Sequence, residues 1–104
     1  AVELLDEIKT ARERPQLDAA WLTRAIQVTD SNAAFFDPAH GFAGVIPGIH
    51  EVLRRQGLMQ GIWCLNPHET LSPGQAEEID RVYRAYPQLN DDEFVRQNLE
   101  EWLR

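Results

Sequence analysis

The side chains best suited to chemistry in this sequence are a single cysteine, Cys64, and His68, four residues after it. A thiol and an imidazole at this spacing would supply half of a metal site or a thiolate–imidazole pair. A structural zinc site needs four ligands, and the remaining histidines, His40 and His50, lack the i,i+4 spacing that puts two ligands on one helical face. We interpret Cys64 as a small buried thiol beside a surface histidine.

Acidic residues are numerous, but many of them precede an arginine by four residues. On a helix this spacing makes exposed ion pairs that contribute about 0.2 to 0.5 kcal/mol each. Carboxylates for acid–base catalysis would instead have to lie in a cleft that shifts their pKa. The sequence therefore predicts solvated surface pairs, namely Glu51–Arg55, Glu77–Arg81, Asp80–Arg84, Asp92–Arg96 and Glu100–Arg104.

Two further motifs are interpreted as structural. Gly41 and Gly44 form a G-x-x-G pattern, but no Lys, Ser or Thr follows it, so it matches neither a P-loop nor a dinucleotide fingerprint. Tyr83 and Tyr86 lie three residues apart on one helical face, where core packing with the hydroxyl reaching water is expected. The sequence thus predicts no catalytic, cofactor-binding or metal-binding residue, and no cofactor.

Composition limits the class of protein. The chain has 104 residues and a formal net charge of -7, so residues 1–104 are expected to form a single unit without a basic surface for nucleic acid. No stretch approaches the roughly 20 apolar residues of a membrane span, and no secretory leader is visible. A single cysteine suits a reducing compartment, here the cytoplasm.

Helix breakers and capping residues divide the chain into about five helices. Pro15 ends the first helix at about Arg14, and Asp18 caps the second, which ends at "FDPAHG". Pro47 opens the third helix, which runs to Gly57. The boxes S-x-x-Q at Ser72 and N-x-x-E at Asn90 open the last two helices, and no segment reads as a convincing strand. The fold class predicted is all-α.

Periodicity then assigns the buried face of each helix. The second helix is the longest, and its apolar stripe needs a large partner surface. The faces predicted to be buried are Val2, Leu4, Leu5, Ile8 and Ala11; Leu22, Ile26, Thr29, Ala33 and Phe36, widened by Trp21, Ala25, Val28 and Phe35; Ile49, Val52 and Leu53; Ala76, Ile79, Val82, Tyr83 and Tyr86; and Phe94, Val95, Leu99, Trp102 and Leu103.

The order of these segments resembles the C-terminal region of the dihydrodipicolinate synthase and N-acetylneuraminate lyase family. The resemblance rests on a long helix ending in "FFDPAHGF", on "GIHEVLRRQGLM", and on "LSPGQAEEIDRVYRAY" after a connection that contains Trp and Leu. It implies that residues 2–14 correspond to the last helix of a (β/α)8 barrel, and residues 18–36, 47–59 and 72–86 to the helices beyond it. The resemblance covers residues 1–86, and residues 87–104 add a terminal helix. Gly41 to Met59 would then be a connector.

The family's catalytic residues have no counterpart here. Members use a Schiff-base lysine, a proton-relaying tyrosine and a G-x-x-G-E loop, whereas Lys9 is the only lysine and "GFAG" lacks the glutamate. The resemblance implies the non-catalytic C-terminal portion of an aldolase or lyase acting on pyruvate-type 2-oxo acids. Its partners would be the rest of the barrel and further copies held through apolar helix faces, without nucleic acid or membrane. The alternatives are a stand-alone helical interaction module and, third, a small thiol or metal enzyme at Cys64 and His68.

Overall fold

The computed structural model describes all residues 1–104, and it is all-α as the sequence predicts. Five helices follow one another without any strand: α1 Val2–Ala11, α2 Ala20–Phe36, α3 Val45–Arg55, α4 Gln75–Ala85 and α5 Asp92–Trp102. Short 3-10 turns at Pro38–His40 and Pro87–Leu89 follow α2 and α4. No helix has the length and apolarity needed to cross a membrane.

Three helix boundaries differ from the prediction. Helix α1 ends at Ala11, three residues before Arg14, and α3 begins at Val45, two residues before Pro47. Helix α4 begins at Gln75 and not at Ser72, because Gly74 adopts a left-handed conformation with φ 81°. Asp18 does cap α2 as predicted, since its carboxylate accepts a hydrogen bond from the backbone N–H of Ala20 at 2.9 Å.

The centre of the molecule is formed by α2, α3 and α4. Ala34 of α2 packs with Ile79 and Val82 of α4, and partly buried apolar side chains surround this group: Phe35, Leu71, Tyr83 and Tyr86. The α4 face was predicted correctly, because it has one apolar stripe between two charged ones. Helices α1 and α5 are peripheral, and each buries a single side chain, Ala11 and Val95 respectively.

The predicted inward face of α2 is wrong. The stripe that begins at Leu22 and Ile26 lies in solvent, with 72% and 68% of these two side chains exposed, and the helix buries Ser31 and Ala34 instead. Small side chains on that face allow α3 and α4 to approach closely, whereas bulkier ones would hold them apart. Leu17 and Leu22, which flank the Asp18 cap at the spacing of a hydrophobic staple, both remain exposed.

The chain is less compact than a globular protein of its length. Its radius of gyration is 15.9 Å, against about 13 Å for a compact domain of this size. Its accessible surface is 7766 Å², whereas a folded monomer of this mass exposes roughly 6,000 Å². Large apolar side chains on α1, α2 and α5 account for part of the difference: Val2, Leu5, Ile8, Leu22, Ile26, Phe94, Trp102 and Leu103.

Candidate functional site

The most elaborate polar arrangement lies where the ends of α2, α3 and α4 meet. We call it the Asp37–Gln75 cluster; it consists of Asp37, His40, Gly44, Ser72 and Gln75. Asp37 ends α2 in a left-handed conformation, φ 57° and ψ 48°, which turns the chain back on itself. This conformation is uncommon for residues other than glycine, and aspartate is among those that tolerate it.

The Asp37 carboxylate is 4% exposed and has three donors around it. The backbone N–H of Gly44 donates to Oδ2 at 3.0 Å, the Ser72 hydroxyl donates to the same oxygen at 2.5 Å, and His40 Nδ1 lies 2.7 Å from Oδ1. An ionised carboxylate only accepts hydrogen bonds, so the proton is assigned to His40 Nδ1. Burial alone would raise the pKa of Asp37, but the bonds from Ser72, His40 and Gly44 outweigh it and lower that pKa.

Gln75 completes the cluster from the start of α4. Its side-chain Nε2 donates to the carbonyl oxygens of Ala34 at 3.2 Å and Gly44 at 2.9 Å, and its Oε1 accepts from the Ser72 N–H at 2.9 Å. The Ala34 carbonyl belongs to the last turn of α2, where a carbonyl oxygen finds no N–H donor within its own helix. One amide therefore satisfies backbone groups of two other segments and joins α2, α3 and α4.

Two glycines make this approach possible. A Cβ on Gly44 would meet the side chain of Gln75 and lie 2.9 Å from Asp37 Oδ2, and a Cβ on Gly48 would overlap the Phe35 carbonyl oxygen. Gly44 is thus in close packing, as the G-x-x-G interpretation predicts. Gly41 has a different role, because it is open to solvent and adopts φ 61° in the turn.

Serine, histidine and aspartate meet in this cluster, but their order does not make a nucleophile. In a Ser–His–Asp triad the imidazole lies between the hydroxyl and the carboxylate and removes the hydroxyl proton. Here Ser72 and His40 both donate to the carboxylate of Asp37, so no base is placed to activate the hydroxyl. The arrangement holds three segments together.

A second polar group joins α3 to α4 and corrects the prediction of solvated pairs. Glu51 is only 6% exposed and binds Arg54 and Arg55 at 2.7 and 3.0 Å. The hydrogen bonds from Arg54 lower the pKa of Glu51 more than burial raises it. Arg55 crosses to Asp80 of α4 at 2.7 Å and lies over the Tyr83 ring. Only the predicted Glu51–Arg55 pair forms.

Two of the other arginines, Arg81 and Arg96, take different partners from those predicted. Arg81 binds Asp30 of α2 through two bonds of 2.8 Å and also binds Glu78. Arg96 binds Glu93, three residues before it. These ion pairs form in place of the predicted i,i+4 pairs because the guanidinium group can donate two parallel hydrogen bonds to one carboxylate. Spacing by four residues does not by itself guarantee that geometry.

The two tyrosines of α4 differ in how their hydroxyls are satisfied. The Tyr86 hydroxyl donates to Asp30 at 2.7 Å, and together with Arg81 it lowers the pKa of Asp30 to about 2. The Tyr83 hydroxyl is buried without a hydrogen-bond partner, and burial raises the pKa of Tyr83 to about 12. The prediction that both hydroxyls reach water is therefore wrong for Tyr83.

This difference predicts opposite outcomes for the same chemical change. Tyr86→Phe removes a hydrogen bond to a charged group, so we expect the free energy of unfolding to fall by about 1.5 to 3 kcal/mol. Tyr83→Phe removes a buried hydroxyl that has no partner, so we expect no loss or a gain. Urea unfolding followed by circular dichroism measures both variants. Equal losses would contradict the assignment.

Cys64 does not pair with His68. The structure places Cys64 Sγ 3.8 Å from Nδ1 of His50 on α3, while His68 is exposed and its backbone N–H donates to Asn66. Desolvation and the nearby charge of Glu69 raise the pKa of the half-buried Cys64 thiol, which keeps it protonated. Nowhere do three or more His, Cys, Asp or Glu side chains come together in a way that could hold a metal ion.

The missed residues are Asp37 and Gln75, which sequence reasoning treated only as parts of a helix end and a capping box. A signal for Asp37 was present in "FFDPAHG", where an acidic residue stands at the turn before a proline. Its three donors lie 3, 7 and 35 residues away in sequence. No local pattern links positions separated in that way.

Comparison with known proteins adds no further assignment. No family model matches the chain, and no curated protein or solved structure shows significant similarity to it.

Proposed function

We propose that this chain is the C-terminal helical portion of a lyase of the dihydrodipicolinate synthase type, with a packing and assembly role and no catalysis of its own. The observation that supports this most is the apolar surface it leaves uncovered. A chain whose α1, α2 and α5 expose large apolar side chains is suited to covering another body, since monomers rarely leave such surfaces in contact with water.

The acidic side chains that could take part in catalysis form hydrogen bonds within the chain itself. Asp37 and Asp30 are held by hydrogen bonds from neighbouring helices or turns, and Glu51 is held by arginines of its own helix. Lys9 lies exposed on α1, whereas an imine-forming lysine is activated by an apolar pocket or a neighbouring cation. The Schiff-base lysine of the proposed parent would lie in the barrel. We propose a cytoplasmic location, because the single cysteine cannot form an internal disulfide.

Reductive trapping tests the proposal. The natural protein that carries these residues is treated with pyruvate and borohydride: a lysine amine adds to the ketone, water leaves, and hydride reduces the C=N bond to a secondary amine. We expect one adduct per natural chain, on a lysine outside residues 1–104, and no adduct on the isolated 104-residue chain.

A Lys9→Arg variant of the natural protein serves as the matched control and should trap pyruvate to the same extent. The proposal fails if the natural protein traps no pyruvate. It also fails if the natural product has a mass of 11.9 kDa, the mass of this chain, since the barrel would then be missing.

A stand-alone helical interaction module is the second candidate, and one observation favours it. The Asp37–Gln75 cluster and the Arg81–Asp30 pair join α2, α3 and α4 through contacts that lie within the chain. Such a unit would need no barrel to hold its three central helices in place. In this case its function would be to bind a partner helix through its apolar faces.

A further inference from the structure

Helix α2 presents a continuous apolar seam to solvent. Its members alternate by four and three residues along the whole helix, which is the spacing of the contact positions in a coiled coil. All of them are exposed. The seam consists of Leu22, Ile26, Thr29, Ala33 and Phe36.

A shallow, open depression follows the middle of the seam, lined by Ala25, Ile26, Thr29, Asp30 and Ala33 of α2 itself. Small side chains in the middle of a seam allow two helices to approach closely, and larger ones at its ends fill the space beside them.

The seam is also complementary to itself when two copies run antiparallel with Thr29 at the two-fold axis. Leu22 then faces Phe36 of the second copy, and Ile26 faces Ala33 of the second copy. Ile26 then meets the smaller Ala33 on each side of the centre, and Leu22 meets Phe36 at each end, so the apolar side chains cover one another along the seam. A two-fold interface of this kind uses the same surface on both chains and is therefore closed.

Charge favours self-association at this place over others. The chain has a net charge of -7, so two copies repel each other wherever acidic side chains would meet. Helix α2 carries only two charged residues, and both are paired within the chain: Arg24 lies 2.6 Å from Glu7, and Asp30 lies 2.8 Å from Arg81. An antiparallel pair also aligns the helix dipoles favourably.

The chain leaves more surface uncovered than a compact monomer of its mass. The accessible surface of 7766 Å² exceeds that of a compact monomer of this mass by about 1,800 Å². This excess is spread over several elements, among them α1, α2 and α5, and the α2 seam accounts for one part of it.

We infer that the α2 seam pairs with the α2 seam of a second copy, antiparallel about Thr29. This inference rests on the assembly role in the proposed function and names the partner for one surface. In the proposed parent, the apolar sides of α1 and α5 would contact the barrel.

Cysteine cross-linking tests the pairing and its direction. Thr29→Cys and, as the matched control, Ala33→Cys are made in a Cys64→Ser background; both positions belong to the exposed seam. Antiparallel pairing brings position 29 next to its own copy, within the Cα separation of 4.4 to 6.8 Å that a disulfide allows. The two copies of position 33 would lie about 12 Å apart along the axis, whereas parallel helices would place them side by side.

We expect Thr29→Cys to form a covalent dimer under mild oxidation with oxidised glutathione, and Ala33→Cys to remain largely uncross-linked. Equal cross-linking of both variants would indicate parallel helices and overturn the inference. No cross-linking of either variant would also overturn it and would leave the seam to the barrel or another protein. Circular dichroism of each variant verifies that the helices are retained.

A second measurement does not depend on oxidation. Sedimentation equilibrium of the 104-residue chain should give twice the chain mass, Ile26→Glu should reduce it to a single chain, and Thr23→Glu should leave it doubled. A monomeric parent chain overturns the inference. Cross-linking repeated in the natural protein, beside pyruvate trapping, separates the two proposals: trapping without a position-29 dimer refutes only the seam, and a dimer without trapping refutes only the lyase.

Discussion

Replacing Gln75 by glutamate is expected to lower the free energy of unfolding by about 3 to 5 kcal/mol at neutral pH, the cost of leaving a buried charge without compensation. The Gln75 side chain is 3% exposed, and its amide donates to the carbonyl oxygens of Ala34 and Gly44. A carboxylate in the same place has no donor to offer these oxygens and would lie near the carboxylate of Asp37. The Ala34 carbonyl would then lose its partner in a place that water reaches poorly, and the Gly44 carbonyl would keep only its bond from the Gly48 N–H.

The loss should depend on pH with a definite sign. The introduced carboxyl would have a raised pKa in the folded state, so at low pH it is protonated in both the folded and the unfolded chain. As pH rises, the unfolded chain ionises freely, whereas the folded chain must either bury the charge or keep the proton, and both lower the free energy of unfolding. We therefore expect the deficit of Gln75→Glu to be smallest below about pH 4 and to grow toward neutral pH. Urea unfolding at a series of pH values measures it.

Gln60→Glu is the control, because Gln60 is exposed in the connection after α3 and the same change of charge should cost little there. The importance of the Asp37–Gln75 cluster would be contradicted if both variants unfolded at the same urea concentration. It would also be contradicted if the deficit of Gln75→Glu did not change with pH.

Gly48→Ala is the second substitution with a large expected effect, about 3 kcal/mol of destabilisation. Gly48 lies inside α3, where helix propensity alone would favour alanine by about 1 kcal/mol. The added Cβ would overlap the backbone carbonyl oxygen of Phe35 and lie 2.7 Å from Gln75 Nε2. Backbone cannot move aside as a side chain can, so α2 and α3 would have to separate.

Gly61→Ala is the matched control for this prediction. A Cβ there would meet only the side chain of Trp63, at 3.0 Å, and Trp63 is largely exposed and free to rotate away. Thermal unfolding of both variants should show a large decrease in Tm for Gly48→Ala and a small change for Gly61→Ala. A Gly48→Ala variant as stable as the parent chain would mean that α2 and α3 do not pack as closely as described.

Much of the secondary structure could be predicted because its signals are local. Pro38 and Pro87 follow the helices they end, and Asp18 caps α2 through a bond to a residue two positions away. One boundary error occurs where a local signal competes with a distant partner. Ser72 was expected to cap α4, but its hydroxyl bonds to Asp37, 35 residues away.

The buried face of α2 could not be predicted, because apolar and small residues occur nearly all round it. Periodicity favoured the stripe through Leu22 and Ile26, but packing selected the side with Ser31 and Ala34. A periodic apolar stripe indicates that a helix face packs against another surface. It does not indicate whether that surface belongs to the same chain or to another one. The prediction of the ion pairs was incomplete for a related reason, since Arg55 and Arg81 bind carboxylates of another helix.

By itself, the sequence determined the all-α class, the number of helices and their approximate ends, because capping and proline effects act within a few residues. Only the tertiary structure decided that Asp37 and Gln75 meet, that Glu51 is buried and that the α2 seam is exposed. Each of these depends on which surfaces come together, and that choice reflects close packing and hydrogen-bond satisfaction summed over distant segments. A local sequence pattern does not report on contacts between distant segments.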